Sequence, residues 1–192
     1  VKACDEIIAG GLHDDFIVDP IQGGAGTSMN MNANEVIANR AIDILCGTRG
    51  DYSLVHPNDH VNYGQSTNDV IPTAGKMTSL RLLTNLKSEL LKLHEAFLGK
   101  AKEFDHVIKM GRTQMQDAVP IRLGQEFQAY ADAVRRDVQR MDKAMDEMRY
   151  LNMGGTAIGT GINADEVYMK RIVPKLSEVS NMEFVQAFDL ID

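Results

Sequence analysis

Three separated segments each bring small hydroxyl and amide side chains next to a glycine: Gln22-Gly-Gly-Ala-Gly-Thr-Ser28, Gly64-Gln-Ser-Thr-Asn-Asp69 and Gly111-Arg-Thr-Gln-Met-Gln116. Each precedes a helix-like apolar pattern. A helix N-terminus carries unpaired N–H groups and a partial positive charge, so hydroxyls and amides placed there suit carboxylate or phosphate. Three such turns point to a small anion with several oxygens.

Competing chemistries fit the residues less well. Gly24-Ala-Gly26 lacks the third glycine of a dinucleotide fingerprint, and no Gly-Lys-Ser or Gly-Lys-Thr follows to meet nucleotide phosphates. His56-Pro-Asn-Asp-His60 imitates a zinc spacing, but Pro57 replaces the base and spoils the helix that would align both imidazoles, so no metal site is expected. His13, His94 and His106 stand alone and read as structural. Cys4 and Cys46 are the only cysteines, too few for a disulfide framework; they read as buried small hydrophobes in a reduced, cytoplasmic protein. Lys and Arg number 20 against 27 Asp and Glu, a net charge of −7, which argues against nucleic acid as a partner. No apolar run approaches the roughly 20 residues that span a bilayer, so no membrane partner is expected either.

The elements that must position the turns are mainly helical. Asn32-Ala-Asn-Glu35 predicts a helix start, with Val36, Ala41, Ile42 and Leu45 on one face until Gly47. Residues 48–65 read as a loop, with a domain boundary near Gly64. Ser66-Thr-Asn-Asp69 opens a helix of about thirty residues striped by Met77, Leu80, Leu83, Leu90, Leu91, His94 and Phe97, with Pro72 in its opening turns. A second stripe, Leu123, Phe127, Tyr130, Val134, Val138, Met141, Met145 and Met148, follows a loop at 111–120. Leu80, Leu90, Val134 and Met141 are expected to pack against further segments of a bundle. Leu151–Asn163 holds four glycines in thirteen residues and must be a close-approach turn. Asn163-Ala-Asp-Glu166 predicts one more helix, kinked or stopped at Pro174. Short strands are expected only at 16–18 and 107–109. Val1–Ile8 reads as mid-helix and Phe188–Asp192 carries no cap, so an internal piece of a longer chain is expected.

Four ordered motifs then resemble one family: Gly24-Ala-Gly-Thr-Ser-Met-Asn-Met-Asn-Ala-Asn-Glu-Val-Ile-Ala-Asn39, His56-Pro-Asn-Asp-His-Val-Asn62 with Gln65-Ser-Thr-Asn-Asp69, Lys109-Met-Gly-Arg-Thr-Gln-Met-Gln-Asp-Ala-Val-Pro120, and Gly154-Gly-Thr-Ala-Ile-Gly-Thr-Gly161. Over essentially its whole length the chain resembles the aspartase/fumarase superfamily, most of all its bacterial ammonia-lyases. The resemblance implies a mainly α fold: residues 1–64 as the end of a smaller N-terminal helical domain, and 65–192 as the first part of a central long-helix bundle. It implies a homotetramer with each active site shared by three subunits, and no cofactor. Thr27, Ser66, Thr67 and Asn68 would hold one substrate carboxylate and the leaving amino group, and Thr113 and Gln114 the other end.

The implied reaction is anti elimination of ammonia from L-aspartate to fumarate through an enediolate. The family's serine base and a carboxylate-binding lysine lie on a Gly-Ser-Ser-x-x-Met-Pro-x-Lys-x-Asn segment that these 192 residues do not contain. No catalytic base is therefore expected before Asp192, and this chain alone is expected to be inactive. Fumarate hydratase is the nearest alternative; Gly26-Thr-Ser28, Ser66-Thr67 and Gln114 resemble the ammonia-lyase versions. A non-catalytic helical scaffold is a third reading.

Overall fold

The computed structural model describes residues 1–191. It is mainly helical, as the stripes predict, and divides into two compact units. The first comprises Val1–Gly75 and the segment beginning at Tyr150; the second is Lys76–Arg149.

In the first unit, helix α1 (Lys2–Ile8) and a 3-10 turn at His13–Asp15 precede helix α2 (Thr27–Ile44). α2 starts five residues before the predicted Asn32 cap. Gly24, Ala25 and Gly26 all have positive φ, turning the chain directly into Thr27. The buried face of α2 is Asn30, Asn34, Ala38 and Ile42 at strict four-residue spacing. Its first two turns bury amides rather than hydrocarbon, which hid the start from an apolar pattern.

The C-terminus of α2 corrects the reading of Cys46 as a buried hydrophobe. Cys46 is exposed and left-handed at φ 59°, and its N–H meets the Asp43 carbonyl while that of Gly47 meets Ile42. These two bonds form a Schellman cap with cysteine where glycine is usual. Cys4 is half-buried. Arg40 reaches back to Glu6 of α1 through its Nε and a second nitrogen, and this pairing holds the Glu6 carboxyl below its ordinary range.

A π-helical turn at Pro57–Val61 leads into α3 (Thr67–Glu103), whose first residues belong to this unit. Pro72 sits at the sixth position of α3, deeper than the first turn. It lacks the N–H that would bond the Asn68 carbonyl four residues back. The Asn152 side-chain amide fills the vacancy, donating to Asn68 O at 3.3 Å. Asp165, not Asn163, caps α5 (Glu166–Ser180), accepting from the amides of Val167 and Tyr168. α5 continues through Pro174. Strands β3 (Tyr150–Leu151) and β4 (Val185–Gln186) pair in parallel, and residues 16–18 form no strand.

The second unit holds the rest of α3, an antiparallel hairpin of β1 (Ile108–Thr113) and β2 (Gln116–Arg122), and α4 (Leu123–Glu147). Phe97 of α3, and Phe104 just past its end, meet Phe127 and Tyr130 of α4, with ring centroids 5.5–6.2 Å apart. His94 Nδ1 bonds Ala131 O at 2.9 Å, and Lys87 pairs with Asp142. Increasing numbers on one helix thus meet decreasing numbers on the other, so the pair runs antiparallel. A Cβ on Gly124 would stand 2.3 Å from Ala101 O, so only glycine admits this close crossing.

Two expectations change here. Residues 111–120, read as a loop, are largely strand. Leu80, expected to await a further segment, is already buried, whereas Leu82, Leu86, Leu91 and Leu93 are the exposed leucines of α3.

Candidate functional site

The first unit gathers Thr27, Ser66, Thr67 and Asn68 at the N-termini of two touching helices. Gly26, the cap of α2, lies against Ile71 of α3: a Cβ there would be 2.7 Å from the Ile71 side chain. Asn30 Nδ2 donates to Thr67 Oγ1 at 3.0 Å. Asn34 Nδ2 donates to Asn62 Oδ1 at 3.1 Å, and Asn30 and Asn34 are both buried. This amide ladder fixes the Thr67 side chain from below. Because Oγ1 accepts from Asn30, the Thr67 hydroxyl proton is left to donate elsewhere.

Ser66 caps α3. Its Oγ accepts from the Asn68 amide at 3.2 Å, and its own N–H donates to Asp69 Oδ1 at 2.9 Å, a reciprocal box with aspartate in the Glu position. The Ser66 hydroxyl is again left as a donor. Asn68 uses Nδ2 on Ala157 O at 2.7 Å, which leaves its carbonyl oxygen as the outward group. Thr27 is exposed at the first position of α2, and Gly26 brings no capping side chain to the first-turn amides. Hydroxyl donors, helix-terminal amides and one amide carbonyl together suit a carboxylate with a neighbouring ammonium or hydroxyl.

Thr113 and Gln114 stand apart from that group in sequence and lie in the second unit. They are exposed at the tip of the β1–β2 hairpin, where Thr113 pairs with Gln116 across a two-residue turn. The third of the glycine-bounded segments is therefore a hairpin tip rather than a helix start. Gln114 and Met115 have φ of 50° and 62°, the left-handed pair of a type I′ turn usually built from Asn-Gly. Each non-glycine residue held there costs about 1–2 kcal/mol. Such strain concentrates where a side chain must be presented.

The glycine-rich turn closes over the start of α3. Gly154, Thr156, Gly159 and Gly161 all have positive φ. Asp69, fully buried, accepts from the amides of Gly154 at 3.3 Å and Thr156 at 2.9 Å. Tyr168 lies against Gly64, with its hydroxyl enclosed and unpartnered among the described residues. Burial and then the Asp69 charge push its pKa up to about 12.

Sequence reading passed over Asn30, Asn34, Asn62 and Asn152. Asn30 and Asn34 were visible as polar residues four apart on the same face as Ala38 and Ile42. Asn152 carried no local signal, because the proline it compensates is eighty residues away. His56 and His60 serve the π-helical turn: His56 Nδ1 accepts from Asn58 and Asp59, and His60 Nδ1 accepts from the His56 amide at 2.8 Å. A cleft of about 640 Å³ in the second unit, lined by Lys102, Asp105, Arg122 and Asp132 among others, contains none of the predicted residues.

A family profile described as lyase matches residues 1–192. The chain belongs to the lyase family. Among curated relatives of this lyase chain, aspartate ammonia-lyase of Bacillus subtilis is 55% identical over 192 residues, all of this chain and 40% of the relative. The Helicobacter pylori aspartate ammonia-lyase is 55% identical over 190 residues, 99% of this chain and 41% of the relative. The mitochondrial fumarate hydratase of Schizosaccharomyces pombe is 47% identical over 187 residues, 97% of the chain and 36% of the relative. A crystal structure described as fumarate lyase:delta crystallin from Brucella melitensis superposes with a TM-score of 0.89 at 53% identity, covering 100% of this chain and 42% of that one. The class II fumarase of Schistosoma mansoni gives 0.86 at 35% identity, covering 99% and 43%. The lyase chain thus spans about two fifths of the length of these relatives. Among the described residues no helix is long and apolar enough to cross a membrane.

Proposed function

We propose that the protein carrying this chain is a cytoplasmic aspartate ammonia-lyase, and that these residues supply part of its substrate site. The reading rests above all on the half-buried Ser66 and Thr67 hydroxyls at the start of α3, whose oxygens accept internal hydrogen bonds, so that their protons are left for an anion. The relatives named aspartate ammonia-lyase support the choice of substrate. Ser66, Thr67, Asn68 and Thr27 hold one carboxylate and the amino group of L-aspartate; Thr113 and Gln114 contact its other end. Residues 1–64 close an N-terminal domain, and 65–192 open the central bundle of a homotetramer whose sites draw on three subunits.

A base removes the Cβ proton, its electron pair forms the carbon–carbon double bond by way of an enediolate, and the Cα–N bond breaks to release ammonia. Charge builds on the carboxylate next to Cβ as the proton leaves, before the Cα–N bond breaks. Hydroxyl and amide donors already oriented in the ground state stabilise that charge without reorganising. The base itself is expected on the serine-containing segment that these 192 residues lack.

The test is turnover of L-aspartate and L-malate by the complete protein. Ammonia and fumarate from aspartate, with little fumarate from malate, is the expected result. Dehydration of malate with aspartate untouched makes the protein a fumarate hydratase instead, and a complete protein that binds neither is a scaffold. A carbonyl or hydroxyl facing the wrong leaving group costs about 1–3 kcal/mol, enough to separate these substrates.

A further inference from the structure

We propose that Asp69 is a positioning residue for substrate binding: it ties the glycine-rich turn 154–157 to the Ser66–Asn68 turn, and the affinity of that turn for a dicarboxylate depends on the tie. The inference rests on the reading that Ser66, Thr67 and Asn68 hold substrate.

Asp69 is fully buried and sits three residues into the box that Ser66 opens. One carboxylate oxygen accepts from the Ser66 amide, and the other from the amides of Gly154 and Thr156. Gly154 at φ 96° and Thr156 at φ 57° curl the backbone so that two N–H groups converge on one oxygen, the nest geometry that favours an anion. Two further bonds cross the same seam in opposite directions, from Asn68 Nδ2 to Ala157 O at 2.7 Å and from Asn152 Nδ2 to Asn68 O at 3.3 Å. Asn68 is thereby gripped from both sides by a segment more than eighty positions away, and Ser66 is held through Asp69. A helix cap needs only the Ser66 bond; the two bonds to the glycine-rich turn are additional. They fix where the Ser66 and Asn68 side chains stand when substrate arrives, which is how a residue that never touches substrate can set its affinity.

The experiment compares wild type with Asp69→Asn in the complete protein. Asparagine keeps the size but offers one acceptor oxygen, so its NH2 group must face either the Ser66 amide or the Gly154 and Thr156 pair. The expected result is a KM for L-aspartate raised about tenfold or more, as loss of a charged hydrogen bond would give, with kcat changed less than about threefold. Amide hydrogen exchange should quicken at 154–157 and stay unchanged in α4. An unchanged KM overturns the proposal whether or not exchange quickens, because the tie would then be structural only. An equal fall in kcat with KM constant also overturns it. If Asp69→Asn fails to assemble, Asn152→Ala removes the flanking bond alone and should raise KM in the same direction; no change there is refuting. A wild type that turns over neither aspartate nor malate refutes the functional reading instead, a result distinct from a working wild type indifferent to Asp69.

Discussion

Gly26 is where the two helix starts meet, and Gly26→Ala is the substitution whose cost the structure specifies most fully. Two penalties act together. The backbone at Gly26 has φ 85°, in the left-handed region that costs an L-residue about 1–2 kcal/mol. The new Cβ would also lie 2.7 Å from Ile71 Cγ2 and 3.0 Å from Cγ1, inside contact distance, and overpacking of this kind costs about 1–3 kcal/mol. The sum is about 2–5 kcal/mol, at the severe end for one methyl group. Urea unfolding followed by far-ultraviolet circular dichroism, on wild type and variant of the complete protein, measures it. Ile71→Ala made alone and together with Gly26→Ala completes a cycle: the contact part should be recovered in the double variant and the backbone part should remain. A Gly26→Ala variant within about 0.5 kcal/mol of wild type would refute the claim that α2 and α3 abut here through glycine.

Three other outcomes follow from the same contacts. Asn152→Ala should cost about 1 kcal/mol in wild type by abandoning the Asn68 carbonyl, and close to nothing beside Pro72→Ala, where the restored amide takes that carbonyl; equal costs in both backgrounds would contradict the compensation. Tyr168 has a folded pKa of about 12 against an ordinary 10.0, so the stability it contributes is complete below pH 10 and is lost as pH rises toward 12. Tyr168→Phe should abolish that part of the alkaline decline, read as wild-type minus variant stability across that window. Met115→Gly should stabilise the hairpin by about 1 kcal/mol, because Met115 is exposed and held at φ 62°; a destabilised protein would mean that its side chain is buried in the working assembly.

What was legible in the sequence was whatever local chemistry determines. Ser66 and Asp69 close a box within four residues, and the α4 stripe from Leu123 to Met145 repeats at helical spacing, so both read correctly. The start of α2 did not, because Asn30 and Asn34 bury polar amides that bond Thr67 and Asn62, and no apolar period marks such a face. The hairpin was missed for a related reason. Gln114-Met115 is an unfavourable type I′ turn, so its sequence carries no Asn-Gly signal, and Pro120 demotes the following strand in any propensity reading. Asn152 and the Asp69 contacts to Gly154 and Thr156 join segments more than eighty residues apart, and only the fold brings them together. Within the site, the hydroxyls were readable as residue types, while the acceptors that orient them were not.

The most direct test of the central claim is a crystal structure of the complete protein with succinate, a dicarboxylate without a leaving group. The account predicts one carboxylate within hydrogen-bond distance of the Ser66 and Thr67 hydroxyls, with the Asn30 to Thr67 bond preserved beneath it. Succinate bound elsewhere, with those hydroxyls facing only water, would contradict it.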